Sequence, residues 1–382
     1  MPRCNLFTFT SLIVTALLSS PSFGQSDTFR WDGFINQGYT HSSGNSFFGD
    51  SSNGSWEFTD IGLGASWRQQ PRLLFAARAI YRKAGNTTDD NVQLDYGLVD
   101  FTAISQMDYG LNLRAGRVKN PYGFYNETRD ILSSRPSVLL PESIYRDSLR
   151  KVFHTSDGAA LSGYKQWSST LVSVDFVVGK PIMSDIARSE ILGINFSGSF
   201  DDEKGLIGRL MIEHPDSQLR YGISMATLEA GYTPAAGEAV LPGNFDMDVA
   251  LLSIEKRYND WTLTAEYQLN DFNISGLSAP GFQKSSEEKS YYGQLGYRWS
   301  DAWQGLIRYD TYYQDPDQKD NPEFYSKDLT ASVKYRYSAR LTLAADLHYI
   351  EGTGWLSEID QQPGQERDKY WTLLALQLGF TF

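Results

Sequence analysis

The stretch Leu374-Ala375-Leu376-Gln377-Leu378-Gly379-Phe380-Thr381-Phe382 alternates without a break. Every second residue back from Phe382 is large and apolar: Phe380, Leu378, Leu376, Leu374. Between them stand Thr381, Gly379, Gln377 and Ala375, small or polar. Period two belongs to a β-strand, whose successive side chains point to opposite faces. A strand with one greasy face and one mixed face separates two unlike media. The same pattern recurs upstream. Leu341, Leu343, Ala345, Leu347 and Tyr349 oppose Thr342, Ala344, Asp346 and His348. Trp261, Leu263, Ala265 and Tyr267 oppose Thr262, Thr264, Glu266 and Gln268. Leu73, Phe75, Ala77, Ala79 and Tyr81 oppose Arg72, Arg78 and Arg82, and Leu192, Ile194, Phe196 and Phe200 oppose Asn195, Ser197, Ser199 and Asp201.

Sixteen such segments are predicted: 28–40, 56–69, 72–84, 91–104, 107–118, 154–166, 169–179, 191–201, 205–215, 247–258, 260–269, 289–299, 302–314, 327–338, 340–351 and 370–382. Each has about the length of a tilted membrane-crossing strand with some overhang. Their connections alternate in length. Short turns fall at 70–71, 105–106, 167–168, 202–204, 259, 300–301 and 339. Longer loops fall at 41–55, 85–90, 119–153, 180–190, 216–246, 270–288, 315–326 and 352–369. Seven turns and eight loops describe an all-β, sixteen-stranded antiparallel transmembrane barrel with both chain ends on the turn side. Within 216–246, Ser224 to Gly231 reads as a short helix or as an extra hairpin that would make eighteen strands. The terminal pattern resembles the carboxy-terminal signature of bacterial outer-membrane proteins.

Composition agrees. A mean hydropathy of -0.39 is ordinary for a barrel that alternates inward and outward residues, and 23 Tyr, 21 Phe and 9 Trp supply strands and interfacial girdles. Trp67, Trp167, Trp261, Trp299 and Trp303 all lie close to short turns. The first 24 residues read as a signal peptide: Arg3, an apolar run from Leu6 to Leu18, then Ser22-Phe23-Gly24, so Gln25 is expected to open the barrel domain, 25–382. Cys4, the one cysteine, precedes the apolar run, so neither lipidation nor thiol chemistry is expected beyond it. Without Arg3 there are 33 basic and 46 acidic residues, a net charge of -13 that argues against nucleic acid as a partner.

The third loop, 119–153, differs from the rest. Ile131, Val138, Leu139, Leu140 and Ile144 have little use in a loop surrounded by water; they imply that it folds into the barrel lumen. From 117 to 151 there are seven basic and four acidic residues, a balance of +3. Alternation also puts Arg72, Arg78, Arg82, Arg114, Arg298, Arg308 and Arg336 on the lumen face. Guanidinium groups in a narrow pore attract carboxylates and phosphates, and rings of such charge set selectivity. The candidate pore-constriction and solute-binding residues are Arg78, Arg82, Arg114, Arg117, Lys119, Arg129, Arg135, Arg146 and Arg150. The alternative reading pairs each with a lumen acid such as Asp60, Asp108, Asp175, Glu266 or Asp310, so that it braces the wall.

A long third loop inside sixteen strands resembles the constriction loop of trimeric Gram-negative porins. The run Ala115-Gly116-Arg117-Val118-Lys119-Asn120-Pro121-Tyr122-Gly123-Phe124 is similar to a run in phosphate-selective porins and related families, although their dense arginine ladder has no counterpart here. The resemblance implies a bacterial outer-membrane diffusion channel for small hydrophilic solutes, anions favoured. It also implies a homotrimer in contact with lipid and lipopolysaccharide. A channel specific for organic acids or sugars is the alternative, with Tyr122, Phe124 and Tyr125 as a slide; a receptor or adhesin barrel with a blocked lumen is another. No enzyme, cofactor or metal site is expected. His41, His154, His214 and His348 have no serine-centred motif beside them, Gly62-Leu63-Gly64 precedes no helix, and Asp315, Asp317 and Asp320 read as solvated.

Overall fold

A computed structural model describes residues 28–277, 285–361 and 366–382, so the predicted signal segment lies outside the described residues. The strands are β1 Phe29–Ser43, β2 Ser55–Gln70, β3 Leu73–Ala84, β4 Val92–Ser105, β5 Tyr109–Lys119, β6 Thr155–Trp167, β7 Thr170–Pro181, β8 Ser199–His214, β9 Leu219–Thr233, β10 Gly243–Tyr258, β11 Trp261–Ser275, β12 Ser285–Arg298, β13 Trp303–Tyr313, β14 Tyr325–Arg336, β15 Leu341–Gly352 and β16 Tyr370–Thr381. Two short α-helices lie in loops: α1 Arg150–His154 and α2 Asp185–Leu192. Each strand pairs antiparallel with its neighbours in sequence, and β1 pairs with β16, so the sheet closes on itself. Closure leaves no unpaired edge.

The terminal strand behaves as its pattern demands. Leu376 and Leu378 point outward, 39% and 42% exposed, while Trp371, Leu373 and Ala375 are buried inside. Phe382 finishes the ring. Its N–H donates to Gly33 O at 3.0 Å and its carbonyl accepts from Gly33 N at 3.1 Å. Its side chain packs on Trp31. A Cβ on Gly33 would stand 2.3 Å from the Phe382 ring, so a larger residue there would displace the ring. The five tryptophans near the turns are all exposed on the outer surface or turns.

One strand pair departs from expectation. The segment 191–201 is not a strand: it covers the end of α2, an irregular return, and only the first residues of β8. The expected turn at 202–204 is a bulge inside β8, where the register skips between Asp201 and Lys204 and Asp202 takes a φ of 52°. Consecutive charges mimic a turn, but a bulge accommodates them where a strand projects. The real turn is 215–218, and β9 occupies what reads as loop 216–246. Ser224 to Gly231 is therefore strand, neither helix nor extra hairpin. The β9 alternation is blurred because Leu228, Ala230 and Tyr232 on its inner face are apolar too. They pack against loops, not water. Two displacements cancel, so the total stays sixteen.

The third loop in the barrel lumen

Residues 120–149 and α1 turn inward, and three carboxylates on the wall fasten them. Glu266 of β11 accepts from Phe124 N (3.1 Å), Tyr145 Oη (2.6 Å), Tyr292 Oη (2.8 Å) and Ser253 Oγ (2.5 Å). Asp346 of β15 accepts from Leu139 N (2.9 Å) and Ser332 Oγ (2.5 Å). Asp310 of β13 accepts from Ser143 N at 3.3 Å. On the β9 side Ser224 Oγ receives Gly123 N, and Tyr122 donates to Gln268. The loop's apolar residues are buried, with Val138, Leu139 and Leu140 at 0%, 4% and 5% exposure. Each such side chain taken from water contributes about 1.5–3 kcal/mol.

The predicted basic residues are mostly neutralised by acids. Arg78 pairs with Asp32, Arg114 with Asp100 at 2.7 Å, and Arg82 with both Asp60 (2.6 Å) and Asp147 (2.7 Å). Arg129 donates to Tyr145 O at 2.7 Å and lies 3.6 Å from Asp147. Lys119 meets Asp130 (2.8 Å) and Asp95 (3.3 Å), and Arg150 pairs with Asp130. Arg146 stacks on Tyr312, 4.3 Å from the ring centroid. For these residues the bracing reading describes the geometry. The expectation that Asp108 is one of the bracing acids is corrected, because it sits in the exposed turn after β4; Arg72 likewise lies on a turn, outside the lumen wall.

Arg117 is a further correction. Gly116 takes a φ of 122°, and Arg117 points out of the barrel to its cross-strand partner Asp157, at 2.7 Å. Of the expected slide, Tyr122 is 1% exposed within the loop's core and Phe124 is covered by the Arg220 guanidinium at 4.4 Å, while Tyr125 lines a cavity beneath the loop.

Asp95, Asp130 and His154 converge closely enough to suggest a metal centre. Lys119 and Arg150 already supply two positive charges there. Burial, with Lys119 and Arg150 beside it, holds the His154 imidazole well below its usual range, and its Nε2 lies between the two carboxylates, 3.1 Å from Asp95 and 3.3 Å from Asp130. The cluster ties both ends of the loop to β4. Nearby, burial and the neighbouring Asp147 push Glu142 up to about 8.

What distinguishes the loop's underside is positive charge held by neutral partners. Arg135 donates to the Gln377 side chain, and Lys334 of β14 donates to the Arg135 and Ser133 carbonyls. Arg308 donates to Ser137 Oγ (2.9 Å) and Leu139 O (3.2 Å). All three are buried, and the Nε atoms of Arg135 and Arg308 have no hydrogen-bond partner among the described residues. Arg135 and Lys334 open onto a cavity of about 510 Å³ beneath the loop, which Arg220, Arg257 and Arg298 also line, against Glu255 and Asp260. Lys334 and Arg220 escaped sequence reasoning. Alternation puts Lys334 inward beside Ser332 and Thr330, a usable signal had lysine been weighed with arginine; Arg220 was lost with β9.

Solved structures with this architecture cover nearly the whole chain. The anion-selective porin from Comamonas acidovorans is similar at 11% identity, over 93% of this chain and 99% of its own, with a TM-score of 0.59. The chain has the porin fold. The outer membrane channel DcaP of Acinetobacter baumannii (11% identity, 94% of this chain, 99% of that one, TM-score 0.54) shares it. So does OmpT of Vibrio cholerae in its trimer form (8% identity, 93% and 99%, TM-score 0.54). No family model matches the chain, and no curated protein is significantly similar in sequence. At such identities the likeness concerns the porin fold alone, and the lumen's chemistry rests on this chain's own residues.

Proposed function

We propose that this chain is a bacterial outer-membrane diffusion channel for small hydrophilic solutes that favours anions, exported by its signal peptide and assembled as a trimer among lipid and lipopolysaccharide. One observation carries the preference: among the described residues, Arg135 and Lys334, buried under the third loop, have only neutral hydrogen-bond partners, with Asp60 and Asp346 acting on them at longer range, and both line the cavity there. A cation that is not ion-paired to a carboxylate leaves more of its field available to a passing anion, and a partly dry lumen strengthens that field. Arg78, Arg82, Arg114, Lys119, Arg129 and Arg150 act instead through the acids they hold, shaping the wall. The reading is of a channel and not of an enzyme; His348, for instance, is bound to Asp328 at 2.7 Å inside the barrel.

The test is the reversal potential in planar bilayers under a salt gradient. Wild-type protein should favour chloride over potassium, and Arg135→Ala with Lys334→Ala should lower that permeability ratio about threefold or more. Arg117→Ala should leave it unchanged. Cation preference in the wild type would sink the anion reading and leave the channel. The second reading, a receptor barrel with a blocked lumen, is favoured by the apolar side chains that fill the loop-side half; absence of conductance under all conditions would support it instead.

A further inference from the structure

The fourth loop, 182–198, joins β7 to β8, and the eighth joins β15 to β16, its described residues being 353–361 and 366–369. In a ring of sixteen strands these hairpins stand on opposite walls, eight strands apart. Yet Ser357 of the eighth loop donates to Glu190 of α2 at 2.5 Å. Loops that meet from opposite walls must cross the mouth between them.

Both arms of this crossing are built. Ser184 caps α2 by accepting Ala187 N at 3.2 Å, and Arg188 donates to Phe196 O (3.0 Å) and Gly198 O (2.9 Å), holding the loop's return. Ala187 and Leu192 bury their side chains in a cluster with Tyr122, Leu140 and Ile144 of the third loop. From the other wall Trp355 and Leu356 join Phe47 and Phe48 of the first loop and Val138 and Leu139 of the third. Asp360 accepts from Phe48 N (3.1 Å) and Asn86 N (2.7 Å), linking the first, second and eighth loops. Between the two clusters, a cavity lined by Phe48, Arg82, Arg135 and Leu139 amounts to about 10 Å³. That is scarcely the space of one water molecule.

We propose that the fourth loop and residues 353–361 form a lid across the loop-side mouth, closed in this structure and latched by Glu190 and Ser357, and that conduction requires the latch to part. The proposal rests on the channel reading. The charges facing the latch give it a direction with pH. Glu190 meets Ser357 and Glu358 from the eighth loop and Arg146 and Ser148 from the third; burial raises its carboxyl, outweighing the Ser357 and Ser148 hydrogen bonds and Arg146, which favour the ionised form. Asp360, against the Phe48, Gly49 and Asn86 amides and facing Glu190, is pushed up to about 6, chiefly by burial. A carboxyl raised in the closed state favours closure when protonated, and loses that contribution as pH climbs through its raised value. Closure is therefore favoured at acid pH, and this contribution is lost as pH climbs from the ordinary carboxylate range to about 6.

The experiment uses the full barrel with Glu190→Cys and Ser357→Cys, in a mature chain whose own sequence has no other cysteine after Cys4. Bridging the pair with an oxidant or a short bismaleimide should cut conductance at least tenfold, and reductant should restore the oxidised sample; single-cysteine controls should not respond. Bridged protein that conducts like unbridged protein would overturn the lid. A second readout needs no current: Ala187→Cys, 0% exposed under α2, should react with an impermeant maleimide several-fold more at pH 8 than at pH 5, each normalised to denatured protein. No difference there would also overturn the lid, whereas absent conductance with pH-dependent labelling would overturn the channel reading and leave the lid.

Discussion

Glu266 shows how much one inward carboxylate can hold. Its two oxygens receive two tyrosine hydroxyls, one serine hydroxyl and the Phe124 amide, from β10, β12 and both halves of the third loop. Hydrogen bonds to a charged acceptor contribute about 1.5–3 kcal/mol each, and removing the acceptor strands buried donors. Glu266→Ala should therefore cost about 3 kcal/mol or more, seen as a lower urea midpoint for the folded barrel in vesicles. Glu266→Gln should fall between. An unchanged midpoint would mean that the loop is not fastened there. Alternation in the sequence already places Glu266, Arg78, Arg82, Arg114 and Arg308 on one face. It does not disclose who meets whom. The partners of Arg82 are Asp60 and Asp147, separated by 22 and 65 residues, and a face says nothing about a loop that folds back onto it. That is why the arginines read as a selectivity filter while their geometry is mostly that of braces.

At the scale of elements, legibility follows the contrast between the two faces of a strand. In β16 the outer face is leucine and phenylalanine, and the inner face near the turn end is Gln377 and Gly379, so the period is plain. β9 lies where loops cover the inside, and Leu228, Ala230 and Tyr232 face them while Ile223 and Met225 face out. Both faces then reward apolar residues and the period fades. The helix α2 hides for the related reason that Leu192, Ile194 and Phe196 alternate by accident across a helix end. The register of β9 makes a direct prediction. Met225 is 59% exposed on the outer wall, opposite Gly208 and Ala250. A lysine on a lipid-facing position costs about 2–4 kcal/mol near the bilayer centre. Met225→Lys should sharply reduce the heat-modifiable, folded fraction recovered in lipid vesicles, while Glu229→Lys, near the loop end of the same strand, should not. Equal yields would place Met225 away from lipid.

Across the whole molecule the outer wall is uneven. From β2 to β6 it carries Ala65, Ala77, Ala79, Ala115 and Ala159, all exposed, and a shallow concave surface runs from Phe29 and Trp67 to Ala115. Toward the loop end of this face stands the Arg117–Asp157 pair, with Arg117 also donating to Leu94 O at 3.1 Å. Small side chains set among the exposed Leu63, Phe101, Leu113 and Leu161 let another wall approach closely at those points, and an ion pair pointing outward is better accommodated against protein than against acyl chains. These features suit the subunit contact of the proposed trimer. If this face is that contact, Arg117→Ala leaves Asp157 unpaired and desolvated in the interface, the costly case for a buried ion pair, whereas removing both charges is nearly neutral. In mild detergent the wild type should sediment as a trimer, Arg117→Ala should shift most of it to monomer, and Arg117→Leu combined with Asp157→Leu should return the trimer. Because the pair faces away from the lumen, none of these changes should alter ion selectivity per barrel. A wild type that sediments as a monomer, or a trimer indifferent to Arg117→Ala, would remove the pair from the interface and leave the barrel's inner chemistry untouched.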